Sequence, residues 1–201
     1  KSCGRPAIDT QVEIRDDDDN PLPIGEVGQI CAKGPQIMKG YWNKDEESQK
    51  ALKGGWMHTG DAGRMDEEGF VFIQDRIKDM IVSGGENIYS TEVEAALFAH
   101  PDVLDAAVIG IPDEKYGEVV KACIVKKEGS KINEGDLINF CKDRIASYKK
   151  PQSIDFIDEV PRNASGKVLK KVLREPYWKG QDRQVSYCLL YTSPSPRDLS
   201  T

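Results

Sequence analysis

The sequence predicts an α+β fold in two parts, a β-rich first part and a smaller α/β domain after it. Residues 1 to about 75 contain short runs of alternating apolar and polar residues between turn signals, which is typical of strands. From about residue 77 onward, strand-like runs alternate with helix-like runs, which is typical of helices packed on a sheet. With 201 residues, 38% of them hydrophobic, the chain can form one or two domains with a core.

Three strands and one short helix are predicted in the first part. The strands are QVEIR (11–15), GEVGQICAKG (25–34) and GFVFIQD (69–75), and the helix covers 45–52. The acidic run 16–19 could imitate a cation site, but four adjacent carboxylates without a glycine turn are more typical of a solvated hairpin tip. We expect too few strands here for the sheet to close on itself.

Caps and periodicity mark the helices of the second part. The first helix covers 91–99, with Thr91 and Glu94 as a capping box. The second begins after Asn133, which caps it together with Asp136. Its apolar stripe at helical periodicity consists of Leu137, Ile138, Cys141 and Ile145.

The rest of the second part is predicted as strands and one basic helix. The runs 103–111 and 118–127 are strands that can pair with each other, and a third strand covers 153–160. The loop PRNASGK (161–167) leads into a short basic helix that ends near residue 175. Strands and helices therefore alternate around one sheet.

Composition argues against several classes of function. The net charge of −6, with acids and bases interspersed, is atypical of a nucleic-acid surface and gives no electrostatic reason to bind an anionic membrane. No apolar run approaches membrane-spanning length. The five cysteines show no CxxC spacing, so we interpret them as reduced, mostly buried thiols of a cytoplasmic protein. His58 and His100 are too isolated to predict a metal site.

The stretch 75–94, DRIKDMIVSGGENIYSTEVE, combines a mixed-charge cluster, an apolar run, two glycines and a helix start. Alone, this pattern fits an ordinary β-turn-α unit with a charged edge. It also resembles the junction between the large and small domains of the adenylate-forming (ANL) superfamily of AMP-binding enzymes, which includes acyl-CoA synthetases, firefly luciferase and peptide-synthetase adenylation domains. Three more segments fit that family in order: GPQIMKGYW (34–42), GWMHTGD (55–61) and PRNASGK (161–167).

The resemblance covers about Cys3 to Val185 and implies a domain organisation. Residues 1–76 correspond to the β-rich, barrel-like end of the large AMP-binding domain, and residues 77–185 to the small C-terminal domain. The family's phosphate loop and acid pocket would lie upstream of this fragment. Residues 186–201 fit neither domain, and we interpret them as a translated cloning or adapter scar, with a natural disordered tail as the alternative.

The family's functional residues can be carried over to matching positions. Asp61, expected on a tight turn at a strand end, and Arg76 would bind the ATP ribose, since a carboxylate can accept hydrogen bonds from two vicinal hydroxyls. Lys78 matches the hinge about which the small domain rotates. Gly84 and Gly85 match the glycines beside the channel for the pantetheine arm of CoA. Without the resemblance, Asp61 would be a turn former and Arg76 a partner in a surface ion pair. Lys78 would be an exposed lysine, and the two glycines would form a hairpin turn or a bulge.

Lys167 ends the PRNASGK motif. It matches the family lysine that contacts the substrate carboxylate and the α-phosphate during adenylation, a role that suits a compact ammonium. The glycine before it is expected to let the loop swing. A solvated loop lysine is the alternative.

Together the motifs imply an acid–thiol ligase of the acyl-CoA synthetase kind, of which this chain would be the C-terminal part. A fatty or aryl acid would attack ATP, with Mg²⁺ bound upstream, and the acyl-adenylate would pass to CoA. An adenylation domain feeding a carrier protein and a non-catalytic nucleotide- or CoA-binding module are the alternatives. The implied partners are the carboxylic acid, ATP and CoA, without nucleic acid or a transmembrane segment. A cytoplasmic location is expected, with peripheral membrane or organelle association left open.

Overall fold

In the computed structural model, which describes residues 2–180, the chain divides into two compact units between Ile77 and Lys78. The first unit contains a four-stranded sheet and the second a five-stranded sheet. Helices accompany both sheets, so the predicted α+β fold class is confirmed. Within the described part of the chain, no helix has the length and apolar character needed to cross a membrane.

The first unit is an antiparallel sheet with the strand order β1-β2-β3-β4. Its strands are β1 (Gln11–Arg15), β2 (Gly28–Lys33), β3 (Met57–Met65) and β4 (Val71–Arg76), and helix α1 (Asp45–Ala51) precedes β3 in the chain. The predictions of β1, β2, β4 and α1 are therefore confirmed. A small buried core on this sheet consists of Ile14, Ile30 and Val71.

Strand β3 has no counterpart in the sequence-based prediction. Gly60 and Gly63 lie inside it, and glycine in a strand interior weakens the apolar alternation that marks strands. The structure shows why a glycine is needed at one of these positions: a Cβ on Gly63 would lie 2.5 Å from the Phe72 carbonyl oxygen and 2.7 Å from the Ile30 side chain. Close packing and pairing on both edges therefore override the local pattern.

The second unit is built on a mixed sheet with the order β6-β5-β8-β7, in which β9 also pairs with β8. These strands are β5 (Ile81–Ser83), β6 (Glu86–Ile88), β7 (Val103–Asp113), β8 (Gly117–Lys126) and β9 (Ser153–Phe156). The pair β8–β9 is parallel, whereas β7 and β8 form a long antiparallel pair. The predictions of β7, β8 and β9, and of the pairing between β7 and β8, are confirmed.

Three helices accompany this sheet: α2 (Ser90–Phe98), α3 (Glu134–Lys142) and α4 (Lys170–Arg174). Helices α2 and α3 contribute Val93, Leu97, Leu137 and Cys141 to one buried core with the strands. The predicted capping box of α3 is confirmed, since Asn133 Oδ1 accepts a hydrogen bond from the Asp136 amide at 3.0 Å and the Asn133 amide donates to Asp136 Oδ2 at 3.3 Å.

The predicted capping box of α2 is wrong. The helix begins one residue before Thr91, and its N-cap makes no side-chain hydrogen bond. Glu94 instead accepts a hydrogen bond from the Val108 amide at 2.9 Å and lies 2.7 Å from the Lys170 ammonium. Charge-assisted contacts between largely buried groups are stronger than a local cap, which explains the difference.

Candidate functional site

Asp61 lies on a bulge inside strand β3, which corrects the tight turn at a strand end that the sequence analysis expects. The pairing of β3 with β2 shifts register between Gln29 and Cys31. Gly60, directly before Asp61, has a φ of 75°, a conformation that residues with a Cβ rarely adopt. Bulges redirect side chains away from the regular alternation of a strand, and this one determines where the Asp61 carboxylate points.

Thr59 stabilises this bulge. Its hydroxyl donates to the Ile30 carbonyl at 2.8 Å and accepts a hydrogen bond from the Asp61 amide at 3.1 Å. A side-chain hydroxyl thus replaces strand hydrogen bonds that the bulge interrupts. This role of Thr59 was not predicted, and the only local signal for it is a threonine directly before a glycine in GWMHTGD (55–61).

Arg76 faces Asp61 across the pair of strands β3 and β4. The Arg76 Nε donates to Asp61 Oδ1 at 3.1 Å, and the two side chains are 53% and 29% exposed. The structure therefore brings the two predicted ribose-binding residues together. Because both remain accessible, a ligand can reach the carboxylate and the guanidinium.

Lys78 lies in the short 3₁₀ turn Ile77–Asp79, at the division between the two units. Within the second unit, Arg174 of α4 fixes the residues at this point. Its Nη2 lies 3.0 Å from Asp79 Oδ1, and its Nη1 donates to the Lys78 carbonyl at 3.4 Å. The role of Arg174 was not predicted, because no local sequence signal relates it to a segment so far away in the chain.

Gly84 and Gly85 form the two-residue turn of the hairpin β5–β6, with φ values of 59° and 88°. Two successive positive φ angles are typical of a type I′ turn, which favours glycine. A Cβ on Gly84 would lie 3.2 Å from the Tyr116 ring. A groove of about 540 Å³ borders the turn, and its lining includes Gly84, Tyr116, Tyr148, Lys150 and Gln152.

Lys167 ends a compact loop. Asn163 Oδ1 accepts hydrogen bonds from the amides of Ser165 at 3.0 Å and Lys167 at 2.9 Å. Gly166 has a φ of 81°, a left-handed turn conformation that favours glycine. The Lys167 side chain is exposed, and its ammonium makes no hydrogen bond or ion pair to another residue within 2–180.

Arg162 anchors this loop to the sheet of the second unit. Its Nη2 contacts both carboxylate oxygens of Asp105 in β7, at 3.0 and 2.8 Å, and its Nη1 donates to the Gly166 carbonyl at 3.0 Å. One guanidinium therefore ties the turn that precedes Lys167 to a fixed strand. The PRNASGK motif includes Arg162, but nothing in the sequence indicates that Asp105 is its partner.

Lys170 holds the other end of the loop. Its ammonium donates to Ser90 Oγ at 2.5 Å and lies 2.7 Å from Glu94 Oε1, and the Lys170 and Glu94 side chains are 11% and 18% exposed. These contacts join the first residues of α4 to those of α2. Lys167 is thus an exposed lysine between two anchored points.

The acidic run 16–19 is a solvated hairpin tip only in part. Asp17 and Asp18 are exposed, but the Asp19 side chain is 16% exposed and contacts Arg15 at 3.3 Å and His58 at 3.5 Å. Cys31 is fully buried nearby, and burial raises the pKa of its thiol to about 12. Of the other described cysteines, Cys123 and Cys141 are also buried thiols and Cys3 is exposed.

Comparisons with known proteins agree with these observations. The family model described as AMP-binding enzyme C-terminal domain matches residues 92–167, and the model described as AMP-binding enzyme matches residues 1–42. A long-chain-fatty-acid–CoA ligase of Escherichia coli O6:H1 is 44% identical over 174 residues, which are 87% of this chain and 31% of that protein. A feruloyl-CoA synthase of an Amycolatopsis species is 44% identical over 176 residues, 88% of this chain and 36% of the relative.

Two further similarities are to a ligase named for an acyl-carrier protein and to a solved structure. The fatty acid–[acyl-carrier-protein] ligase ScoC of Streptomyces coeruleorubidus is 42% identical over 186 residues, 92% of this chain and 36% of that protein. The crystal structure of ATP-bound MatB from Rhodopseudomonas palustris matches with a TM-score of 0.83 at 37% identity, over 88% of this chain and 35% of that one. The chain thus spans about a third of the length of the proteins it matches.

Proposed function

Because this chain belongs to the adenylate-forming superfamily of AMP-binding enzymes, we propose that it is the C-terminal part of an ATP-dependent acid–thiol ligase. In this proposal, residues 1–76 end the large domain and residues 77–185 form the small one. The substrates would be a fatty or aryl acid, ATP and CoA. The observation that supports the proposal most is an exposed lysine, Lys167, held on a doubly anchored loop at the end of the PRNASGK motif.

In the first half-reaction, a carboxylate oxygen of the acid forms a bond to the α-phosphorus of ATP, and the bond to pyrophosphate breaks. The Asp61 carboxylate accepts hydrogen bonds from the ribose hydroxyls, and Arg76 donates beside it. The Lys167 ammonium donates to the oxygens that share the developing negative charge. Mg²⁺ would neutralise the leaving pyrophosphate, and we assign no ligand for it to this chain.

In the second half-reaction, the CoA sulfur attacks the carbonyl carbon of the acyl-adenylate and AMP leaves. We assign the groove beside Gly84 and Gly85 to the pantetheine arm of CoA, since the glycines present bare backbone to a thin chain. A rotation of the small domain about Lys78 would convert the arrangement for adenylation into the arrangement for thioester formation. Lys78 suits this role because hinges are a few residues at the ends of rigid elements.

A carrier-protein thiol is the second candidate acceptor. The similarity to ScoC, which is named as a fatty acid–[acyl-carrier-protein] ligase, favours it. The first half-reaction would be the same, and only the attacking thiol would differ.

The test is thioester formation by the complete protein that contains this chain. With ATP and a panel of fatty and aryl acids, we expect acid-dependent ATP–pyrophosphate exchange, and then transfer to CoA in preference to a carrier protein. Transfer to the carrier alone would favour the second candidate. Failure of every acid to support exchange would contradict the proposed ligase and favour a non-catalytic binding module. The isolated 201-residue chain should itself show no exchange, since the phosphate loop is expected upstream of it.

A further inference from the structure

Glu118 is a buried acidic residue that the proposed ligase reaction does not use. It is 8% exposed and lies near the start of β8. Alternate residues of a strand point to the same face, and Val120, Ala122 and Ile124 of β8 belong to the buried core of the second unit. Glu118 therefore occupies a core-facing position. Burial of a carboxylate costs free energy unless the group is hydrogen-bonded, so its contacts indicate what it does there.

Glu118 holds strand β5 of the hairpin β5–β6. The Val82 amide of β5 donates to Glu118 Oε2 at 3.3 Å. Within residues 2–180, the ladder between β5 and β8 consists of a single residue pair, Ser83 with Gly117. The carboxylate thus accepts a backbone hydrogen bond just where this short ladder ends, and it extends the attachment of β5 to β8.

Gly110 of the neighbouring strand β7 leaves space for this carboxylate. A Cβ on Gly110 would lie 2.5 Å from Glu118 Oε2 and 3.2 Å from Ile81 Cγ2. Gly110 is not among the glycines with a positive φ, so its backbone conformation does not require glycine. Glycine in a strand interior often marks a close approach, and here the approaching group is the Glu118 side chain.

The contact with Val82 lies two residues before Gly84, in the turn that borders the 540 Å³ groove. The Gly84 amide donates to the Tyr116 carbonyl at 2.9 Å, and both residues line the groove. Glu118 is not among the lining residues. It can therefore act on a ligand in the groove only through the position of β5.

We propose that Glu118 is a positioning residue for the thiol substrate. Its carboxylate holds β5 through the Val82 amide, so that the turn Gly84–Gly85 keeps its distance from Tyr116 and the groove keeps its width. The inference rests on the proposed function, which assigns this groove to the pantetheine arm of CoA. The effect of Glu118 therefore belongs to the second half-reaction and not to adenylation, for which Lys167 is proposed.

The test uses the complete enzyme, with the two half-reactions measured separately. Glu118→Ala should lower kcat/KM for CoA, with supplied acyl-adenylate, about 10–100-fold, because small displacements of a binding site have effects of this size. Its ATP–pyrophosphate exchange should match the parent's. Glu118→Gln keeps an oxygen acceptor of the same reach and should recover most of the loss. Lys121→Met is the matched control, since Lys121 is 7% exposed and lies on the opposite face of β8. It should lower the thermal midpoint without changing kcat/KM for CoA.

Gly110→Ala displaces the carboxylate without removing it, and it decides if Glu118→Ala does not fold. We expect Gly110→Ala to lower kcat/KM for CoA in the parent. In the Glu118→Ala background it should have little further effect, because the new methyl group then no longer meets Oε2. Additive losses in this cycle would overturn the inference.

Amide hydrogen exchange separates a local displacement from general loss of structure. In Glu118→Ala, the amides of the β5–β6 hairpin (81–88) should exchange faster, while those of β7 and β9 keep the parent's rates. The inference is overturned if hairpin exchange is unchanged, if Glu118→Ala transfers the acyl group to CoA as well as the parent does, or if adenylation slows as much as transfer. These results leave the proposed function intact. A parent that forms no thioester with any acid would contradict the proposed function, and this inference with it.

Discussion

Arg76 Nε lies 3.1 Å from Asp61 Oδ1, and the two residues occupy paired positions of strands β3 and β4. The strand pairing fixes both backbones, so the arrangement does not depend on the ion pair itself. An exposed pair of this kind contributes about 0–1 kcal/mol to stability. The pair is therefore better suited to meeting a ligand than to stabilising the sheet.

Asp61→Ala in the complete enzyme should impair ATP binding with little effect on folding. Loss of a hydrogen bond to a charged group costs about 1.5–3 kcal/mol, which corresponds to a KM for ATP raised about tenfold or more. The measurement is the steady-state KM for ATP, with the thermal midpoint recorded alongside. Asp18→Ala, at an exposed aspartate of the hairpin tip, is the control. An unchanged KM for ATP in Asp61→Ala would exclude the ribose role.

Lys78→Pro should separate the two half-reactions. Proline fixes φ near −65°, so it restricts rotation at the division between the two units. We expect adenylation and thioester formation to be slowed to different extents, as measured separately in single turnovers. Lys78→Ala is the control, since it removes the side chain without fixing φ. Equal slowing of both steps by Lys78→Pro would argue against a hinge.

Gly84→Leu should slow transfer to CoA more than it slows adenylation. The φ of 59° disfavours any residue with a Cβ by about 1–2 kcal/mol, and the new side chain would also lie against Tyr116 in the groove. Gly129→Leu is the matched control, because its φ is 78° and open space surrounds it. Both variants should lose similar stability. If both also transfer the acyl group equally well, the groove does not hold the pantetheine arm.

The contact between Arg162 and Asp105 should act on the reaction through Lys167. Arg162→Lys keeps a positive charge but has one nitrogen in place of the two that contact Asp105 and the Gly166 carbonyl, so we expect slower adenylation with little change in the KM for the acid. Asp105→Asn should have a similar effect, and the double variant should be no worse than either single one. Additive losses in this cycle would show that the two residues act independently.

The sequence predicted the regular parts of the fold well. Alternation identified β1, β2 and β4, and Asn133 with Asp136 identified the start of α3, because these signals are local. Strand β3 was missed, because Gly60 and Gly63 interrupt its apolar–polar alternation. Its extended conformation depends on pairing with β2 and β4, which the local sequence does not show. The predicted cap at Thr91 was wrong because Glu94 finds partners much later in the chain.

The candidate site was likewise predictable where local motifs mark it and not where distant residues support it. The motifs gave Asp61, Arg76 and Lys167, and the structure places the first two in contact. The residues that hold them, such as Asp105 and Arg174, lie far away in sequence, and no local pattern marks them. Their roles follow from the pairing of distant strands and helices. The tail 186–201 and its predicted origin lie outside the described residues.

Lys167→Ala in the complete enzyme tests the central claim most directly, with thioester formation measured from two starting points. From acid, ATP and CoA, the variant should form thioester about 10²–10³-fold more slowly, because a positioned donor to the transition-state oxygens is lost. From supplied acyl-adenylate and CoA, it should react at nearly the wild-type rate. Lys131→Ala, at another exposed lysine, should leave both rates unchanged. If Lys167→Ala slows both routes equally, or neither, Lys167 does not serve adenylation and the proposed two-step account is contradicted.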